Sequence, residues 1–252
     1  MEGKRALKLG KLAPKHDVRT LQLANYLDIG KLPPIPVQYD WGKKVPVWGA
    51  MGNLTIGDCT CASAGHMVQA WTSNASIEIT PSDDDIIAAY SAVSGYNPIT
   101  GENDDGAVEL DVLNYWRKTG VAGHKIDAYT ACEPRNHAHV KAAVYLFGGC
   151  YIGLALPLSA QNQAVWSVPS WGLHGSGAPG SWGGHACSVV AFDSHYLTVV
   201  TWGALQRMTW RFADRYMDES YAVLSQDFIN GGIAPNALNW DALQQDLSKV
   251  AH

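Results

Sequence analysis

A cysteine at the predicted start of a helix and a histidine at the predicted start of a strand are the residues best suited to chemistry in this chain. Cys59 opens an apolar helical pattern for which Asp58 is the predicted N-cap. At such a position, unpaired backbone N–H groups and the helix dipole stabilise a thiolate and lower the thiol pKa. His185 precedes the β-rich run 186–190 and can serve as base and ion-pair partner for a nucleophilic cysteine. The pair predicts thiol-dependent acyl transfer.

Helices in the first half of the chain and strands in the second half are expected to position these side chains. The helices are predicted to begin at Cys59, at the capping sequence Ser82-Asp83-Asp84-Asp85, at Asp105-Gly106 and near Asn136. The predicted strands are 151–156, 186–192, 196–202 and 221–224, with Asp193-Ser194-His195 as a hairpin loop. The sequence therefore predicts an α+β protein.

Further sequence motifs lie near Cys59 and near His185. A Pro-rich segment, 33–36, leads into Asp40-Trp41, and Asn53 stands six residues before Cys59. In the second half, Gly184-His185-Ala186 is followed by a β-rich run, a hairpin and Thr201-Trp202-Gly203, so that Thr201 comes 16 residues after His185. In this order the motifs resemble the papain-like cysteine peptidase family, in a divergent form of bacterial or phage type.

The resemblance implies a papain-like two-lobed fold, with a helical lobe, an antiparallel β-rich lobe and the active site between them. The domain is expected at 34–225, with the helical lobe near 54–135 and the β-rich lobe near 136–225. Cys59 would attack a carbonyl, and His185 would take and return the proton. The Cys59 N–H and Asn53 would hold the oxyanion. No metal or organic cofactor is implied.

Two positions depart from the family pattern. Asn53 stands where the family has a glutamine, and its side chain is one methylene shorter. Thr201 stands where the family's asparagine orients the histidine, and its single hydroxyl can accept the imidazole N–H. An alignment on Trp202-Gly203 would instead place Val200 there and leave the orienting role to Gln206 or Asp193.

Tryptophans near His185 are expected to contribute to a substrate cleft. Trp182 lies in the Gly/Pro/Ser-rich segment before His185, and Trp202 follows Thr201. Flat apolar rings at these two positions can form cleft walls, whereas plain packing of a long loop is an equally good interpretation of the tryptophans in that segment.

Two other clusters have metal-ligating residue types. Cys59 and Cys61 form a C-x-C pair, and Cys132, His137 and His139 form a C-x4-H-x-H cluster that could hold zinc. The first pair would need two further ligands, and the second cluster can equally be a polar helix start. No metal is therefore expected in the site.

The ends of the chain differ from its middle. Residues 1–33 carry seven of the 18 Lys and Arg residues and end in a Pro-rich segment, which predicts an extended N-terminal arm packed loosely on the body. Such an arm can also bind a partner or mediate oligomers. Residues 226–252 are predicted to form a C-terminal helical tail.

Charge and cysteine content limit partners and location. Only 16% of the 252 residues are charged, and none of the 51 residues at 142–192 is Asp, Glu, Lys or Arg. The apolar part of that stretch is broken by glycines and a proline, so no membrane span is expected. A net charge of -5 gives no reason to expect nucleic acid. The five cysteines and the absence of a signal peptide predict a reducing, cytoplasmic or virion-associated location.

Two functions from different classes follow. The first is a thiol hydrolase, a cysteine peptidase that cleaves peptide or isopeptide bonds in a peptide or protein substrate through Cys59 and His185. The second is a papain-like scaffold with weak or no catalysis, used as a binding or structural subunit of a larger assembly such as a virus particle. Ligation on the same nucleophile is not separable from hydrolysis by sequence.

Overall fold

Helices supply one side of the molecule and a long sheet the other. The computed structural model describes residues 7–25, 34–75 and 77–229. Within them the α-helices are α1 (Cys59–Ala75), α2 (Asp83–Ser94), α3 (Glu109–Lys118), α4 (His137–Phe147) and α5 (Trp210–Tyr216). The strands are β1 (Tyr39–Asp40), β2 (Ala128–Ala131), β3 (Cys150–Leu156), β4 (Val165–Trp166), β5 (Gly183–Phe192), β6 (Tyr196–Thr201), β7 (Ala204–Thr209) and β8 (Met217–Leu224).

The strands form one mostly antiparallel sheet with β5 near its centre. Their order is β2-β8-β3-β5-β6-β7-β4, with β1 added to β5, and only the β4 pairing with β7 is parallel. Leu154 of β3 is opposite His185 of β5, and a hairpin joins β5 to β6. The segment without charge, 142–192, supplies the buried strands β3 and β5, and their burial is the physical reason for its composition.

Helix α1 is buried along almost its whole length because it lies between the sheet and the other helices of its lobe. Ser63 Oγ lies 2.8 Å from Ser188 Oγ of β5, and Tyr151 Oη of β3 donates to the Thr60 carbonyl at 2.9 Å. On another side, a Cβ at Gly65 would lie 2.5 Å from Met51 Sδ. Small and short side chains therefore allow the helix to carry Cys59 against β5.

Local capping explains why the predicted helix starts are right in two cases. Ser82 Oγ accepts the Asp85 N–H at the start of α2, and the side-chain Oδ1 of Asn136 accepts the Ala138 and His139 N–H groups at the start of α4. Gly148 ends α4 in the left-handed conformation, at φ +75°.

One predicted helix start and one predicted cap are wrong. The third helix begins at Glu109 rather than at Asp105-Gly106, since Gly106 has a φ of +91° that an α-helix excludes. Helix α1 does begin at Cys59, but Asp58 does not cap it with its side chain: its backbone carbonyl accepts the Cys61 N–H, whereas its buried carboxyl interacts with the Asn53 amide.

In the described part of the chain, no helix has both the length and the apolar character needed to cross a bilayer. Of the predicted C-terminal tail, the short 3-10 helix Gln226–Phe228 is described, and the remainder from residue 230 lies outside the described residues.

Candidate active site

Cys59 is the first residue of α1 and faces the start of β5. Its side chain is covered, with the residue 1% exposed, and its Sγ accepts the Ala186 N–H at 3.4 Å. Burial raises the pKa of this thiol to about 12, because desolvation outweighs the backbone N–H groups that favour the thiolate. The depressed thiol pKa expected from the helix start is therefore wrong for this covered state.

His185 is held from two sides. Its Nε2 lies 2.6 Å from Thr201 Oγ1 at the end of β6, and its ring stacks on Trp202 with centroids 4.3 Å apart and planes 16° apart. The Nδ1 atom is buried and has no hydrogen-bond partner among the described residues. Burial, with a smaller contribution from nearby His66, lowers the pKa of His185 to about 3.

The structure brings Cys59, His185 and Thr201 to one place. His185 directly precedes Ala186, whose N–H reaches the Cys59 sulfur, so β5 places the backbone of His185 beside the start of α1. The alternative orienting residues lie elsewhere: Asp193 accepts backbone N–H groups in its own hairpin, and Gln206 donates to the Ala164 carbonyl. Thr201 is thus the residue in contact with His185.

Trp202 sits in a conformation that a large side chain rarely adopts. Its φ is +51°, in the turn between β6 and β7 that Gly203 completes at φ +76°. The turn lays the Trp202 indole on His185 and sets it 5.6 Å from the Trp182 ring. Both indoles line a surface cavity of about 270 Å³ together with Leu7, where the sequence predicts a cleft wall.

Asn53 lies in the turn before α1, where its side chain is next to polar groups rather than packed among apolar side chains. Its Nδ2 donates to the Ile56 carbonyl at 3.2 Å, which uses one of the two amide hydrogens. Next to it, the fully buried carboxyl of Asp58 has its pKa raised to about 8 by desolvation, an effect that the Asn53 amide partly offsets. The turn therefore places an amide and a carboxyl of raised pKa directly before Cys59.

The N-terminal arm passes through the cleft rather than packing loosely on the surface. Gly10 O accepts the Ala107 N–H at 2.8 Å, and the Leu12 N–H donates to Ala107 O at 3.0 Å. On the opposite wall, the Lys11 N–H donates to Gly184 O at 3.1 Å. The arm therefore bridges the helical lobe and the sheet immediately beside His185, and the prediction of a loosely packed arm is wrong.

Gly10 is the arm residue that covers the thiol. Its N–H hydrogen-bonds Cys59, and a Cβ at this position would overlap the Gly57 carbonyl oxygen. A Cβ at Gly106 or Gly184 would overlap the arm backbone in the same way. The channel is thus built from glycines, and it presents an N–H rather than a carbonyl carbon to the sulfur, so the arm is not positioned for attack.

Contacts fix the arm on both sides of Gly10. On one side, Trp202 Nε1 donates to the Lys8 carbonyl at 2.8 Å. On the other side, Lys11 Nζ lies 3.0 Å from Asp218 Oδ2 and 2.9 Å from Glu219 Oε1. Burial opposes the Lys11 charge, but Glu109, Glu219 and Asp218 together raise the pKa of its ammonium.

Sequence reasoning missed the arm and the acidic residues that it meets. Lys11 is separated from Asp218 by 207 residues, so no local pattern links them. The one available signal is Glu109, a charged residue among the apolar positions at the predicted start of the third helix. A carboxylate that is fully buried needs a cation or a proton, which would have pointed to a basic partner.

Cys132, His137 and His139 do not come together as a metal cluster. His137 Nε2 lies 2.7 Å from Asp214 Oδ1, whereas Cys132 contacts Cys150 and His139 Nδ1 accepts the Glu133 N–H. In the part of the chain that the structure describes, no group of three or more His, Cys, Asp or Glu residues has a geometry that could hold a metal ion. Cys61 is buried in the core, as expected.

Comparison with known proteins identifies the fold but not a close relative. No protein-family profile and no curated protein sequence match this chain. Among solved structures, xylellain, a cysteine protease from Xylella fastidiosa, aligns with a TM-score of 0.65 and 15% identity over 89% of this chain and 98% of that chain. A procathepsin B from Trypanosoma congolense gives 0.61 and 10% over 86% of each chain.

A plant enzyme completes the comparison. A cysteine protease of Carica candamarcensis aligns with a TM-score of 0.55 and 14% identity over 76% of this chain and 99% of that chain. Identities this low establish the fold alone. The predicted α+β, papain-like two-lobed fold is therefore confirmed.

Proposed function

We propose that this protein is a cysteine peptidase that hydrolyses peptide or isopeptide bonds and that its own arm keeps it latent. The observation that carries the proposal is the set of contacts at His185, which Thr201 and Trp202 hold next to a cysteine at a helix start. Such an arrangement gives a thiol nucleophile and an oriented base. The cysteine-protease fold of the similar structures supports it.

Chemistry requires that the arm leave the cleft. In the open cleft, water and the N-terminus of α1 favour the Cys59 thiolate, which ion-pairs with the imidazolium of His185. The sulfur adds to the substrate carbonyl carbon, and the Cys59 N–H, with the Asn53 amide beside it, stabilises the oxyanion. The C–N bond breaks as His185 gives its proton to the leaving amine. Water, deprotonated by His185, then hydrolyses the thioester and restores the thiol.

Two observations favour the alternative, a papain-like scaffold without catalysis. Asn53 already donates to Ile56, and Cys59 is buried, with the Gly10 N–H hydrogen-bonded to its thiol. In that case the arm would act as a permanent structural segment, and residues outside the cleft would make the contacts of an assembly. The two proposals differ in what happens when the arm is displaced.

Displacing the arm in the full-length chain tests the proposal. Gly10→Ala is expected to expel the arm, since a Cβ there overlaps the Gly57 carbonyl. We expect Gly10→Ala to hydrolyse fluorescently labelled casein while the wild-type chain is nearly inactive. The matched control is the double variant Gly10→Ala/Cys59→Ala, which we expect to be inactive. Equal rates for the single and double variants would reject the peptidase and favour the scaffold.

A further inference from the structure

A closed acidic pocket receives the side chain of Lys11. The lysine side chain is 1% exposed, although its ammonium carries a full charge. Glu109, the first residue of α3, and Glu219 of β8 approach it from the two lobes. A Cβ at Gly153 of β3 would overlap Lys11 Cε and lie 2.7 Å from Glu219 Cγ, so the glycine provides the depth of the pocket.

The pocket holds more negative charge than one lysine can neutralise. Asp218 and Glu219 contact Lys11 Nζ directly, and Tyr221 Oη donates to the second oxygen of Glu219 at 2.9 Å. Glu109 is fully buried, and neither of its carboxyl oxygens has a hydrogen-bond partner among the described residues. Burial raises the pKa of Glu109 well above its usual range, so a proton can neutralise that carboxyl, whereas Asp218 and Glu219 pair with a cation when the pocket is closed.

The position of the pocket relative to the nucleophile follows from the path of the arm. Lys8 O contacts Trp202, Gly10 N–H contacts Cys59, and the Lys11 side chain enters the pocket. Along the arm, the pocket therefore lies on the opposite side of the Cys59 contact from the contact with Trp202, whose indole stacks on the His185 ring. Because the imidazole delivers a proton to the leaving group, the leaving group lies on its side and the acyl part of a substrate lies toward the pocket.

We propose that this pocket, formed by Glu109, Asp218, Glu219 and Gly153, selects peptide substrates that carry a Lys or Arg side chain on the acyl side of the scissile bond. The inference rests on the proposed peptidase function and names its substrate class. Lys11 of the arm occupies the pocket in the latent state and must leave before a substrate side chain can enter. A neutral side chain would leave the buried carboxylates without a counter-charge, and so would bind poorly.

Cleavage preference tests the proposal in the full-length Gly10→Ala protein. A proteome digest cut only after glutamate supplies peptides with internal Lys and Arg, and mass spectrometry reads the new ends. We expect Lys and Arg to be enriched at one fixed position on the acyl side of the cuts. The enrichment should disappear in Gly10→Ala/Glu219→Gln and persist in Gly10→Ala/Glu102→Gln, whose exposed glutamate lies outside the pocket. Absence of a basic preference, or one that Glu219→Gln leaves intact, would overturn the proposal.

A binding measurement separates the pocket from catalysis. The full-length Gly10→Ala/Cys59→Ala protein is titrated with a fluorescein-labelled peptide of arm residues 6–13, followed by anisotropy. Norleucine in place of Lys11 should weaken binding about 30-fold or more, since a buried charge pair is lost. Norleucine in place of Lys8, which is 48% exposed beside Asp104, should change binding little.

The cleavage and binding experiments distinguish failure of the pocket proposal from failure of the proposed peptidase function. Equal binding of the Lys11 and norleucine peptides would overturn the pocket proposal, whatever the enzyme does. A strong lysine preference in binding without Cys59-dependent hydrolysis would uphold a pocket for basic side chains and reject the peptidase. Hydrolysis without basic preference would reject the pocket and leave the proposed function standing.

Discussion

The Nε2 atom of His185 lies 2.6 Å from the hydroxyl oxygen of Thr201, and this contact fixes the orientation of the imidazole. With the proton on Nε2, the Thr201 oxygen accepts it and the Nδ1 lone pair is left for the Cys59 thiol. Trp202 covers one face of the ring at 4.3 Å, so that rotation of the imidazole would break both the stacking and the hydrogen bond.

Replacing Thr201 by valine removes the hydroxyl and keeps the shape. In the Gly10→Ala background, Thr201→Val should lower kcat by about 100-fold, because the imidazole loses its orienting partner. The pH profile of kcat/KM should shift as well, whereas a structural role alone would leave it unchanged. Thr201→Ser, which retains a hydroxyl, should restore most of the rate. A Thr201→Val variant with unchanged kcat and pH profile would show that Thr201 does not orient the base.

Lys11→Met tests whether the ion pairs hold the arm in place. Methionine has a similar length but cannot neutralise Glu109 or Glu219, so the arm should leave the cleft. We expect iodoacetamide to alkylate Cys59 at pH 7.5 at least about 10-fold faster than in the wild-type chain. The matched control is Lys15→Met, whose lysine forms an exposed pair with Asp111 at 59% and 41% exposure. Equal rates in the two variants would mean that other contacts retain the arm.

Asp58→Asn should change the pH dependence of stability in a defined direction. The pKa of Asp58 is raised from 3.8 to about 8 by burial, with Asp104 and Asp83 adding to the effect and Asn53 opposing it. A raised folded-state pKa means that stability from this group is complete below pH 3.8 and is lost as pH rises through about 8. Asparagine mimics the protonated form and removes this loss.

The measurement is the free energy of unfolding in guanidinium chloride at pH 4 and pH 7.5. The gain of Asp58→Asn over wild type should be near zero at the lower pH and about 2–4 kcal/mol at the higher. Asp111→Asn, at an exposed carboxylate, serves as control. A gain that does not change with pH would show that Asp58 is ionised in the folded protein.

Much of the frame around the site could be predicted from sequence because its signals are local. The start of α1 at Cys59, the caps Ser82 and Asn136 and the strand with His185 each follow from a few neighbouring residues. The 16-residue spacing from His185 to Thr201 also predicts their contact correctly, because a hairpin with a short loop returns β6 alongside β5.

The structural features that could not be predicted from the sequence depend on contacts between segments that are distant in the chain. The arm pairs with Ala107 and Gly184 through backbone atoms, which leave no pattern in the side chains. Strand β7 was missed because its residues do not alternate regularly between apolar and polar types, and α3 starts later than predicted because Gly106 serves the channel rather than the helix. The burial of Asp58 and Glu109 likewise arises only when the two lobes and the arm come together.

The most direct test of the central claim is the alkylation rate of Cys59 by iodoacetamide from pH 4 to pH 9, followed by mass spectrometry of the cysteine-containing peptides. It compares full-length Gly10→Ala with Gly10→Ala/His185→Ala. The account predicts rapid modification of Cys59 already at acidic pH in the first protein and a large loss of that rate in the second. A rate that rises only near the free-thiol pKa of about 8.5, and that the His185 substitution leaves unchanged, would contradict it.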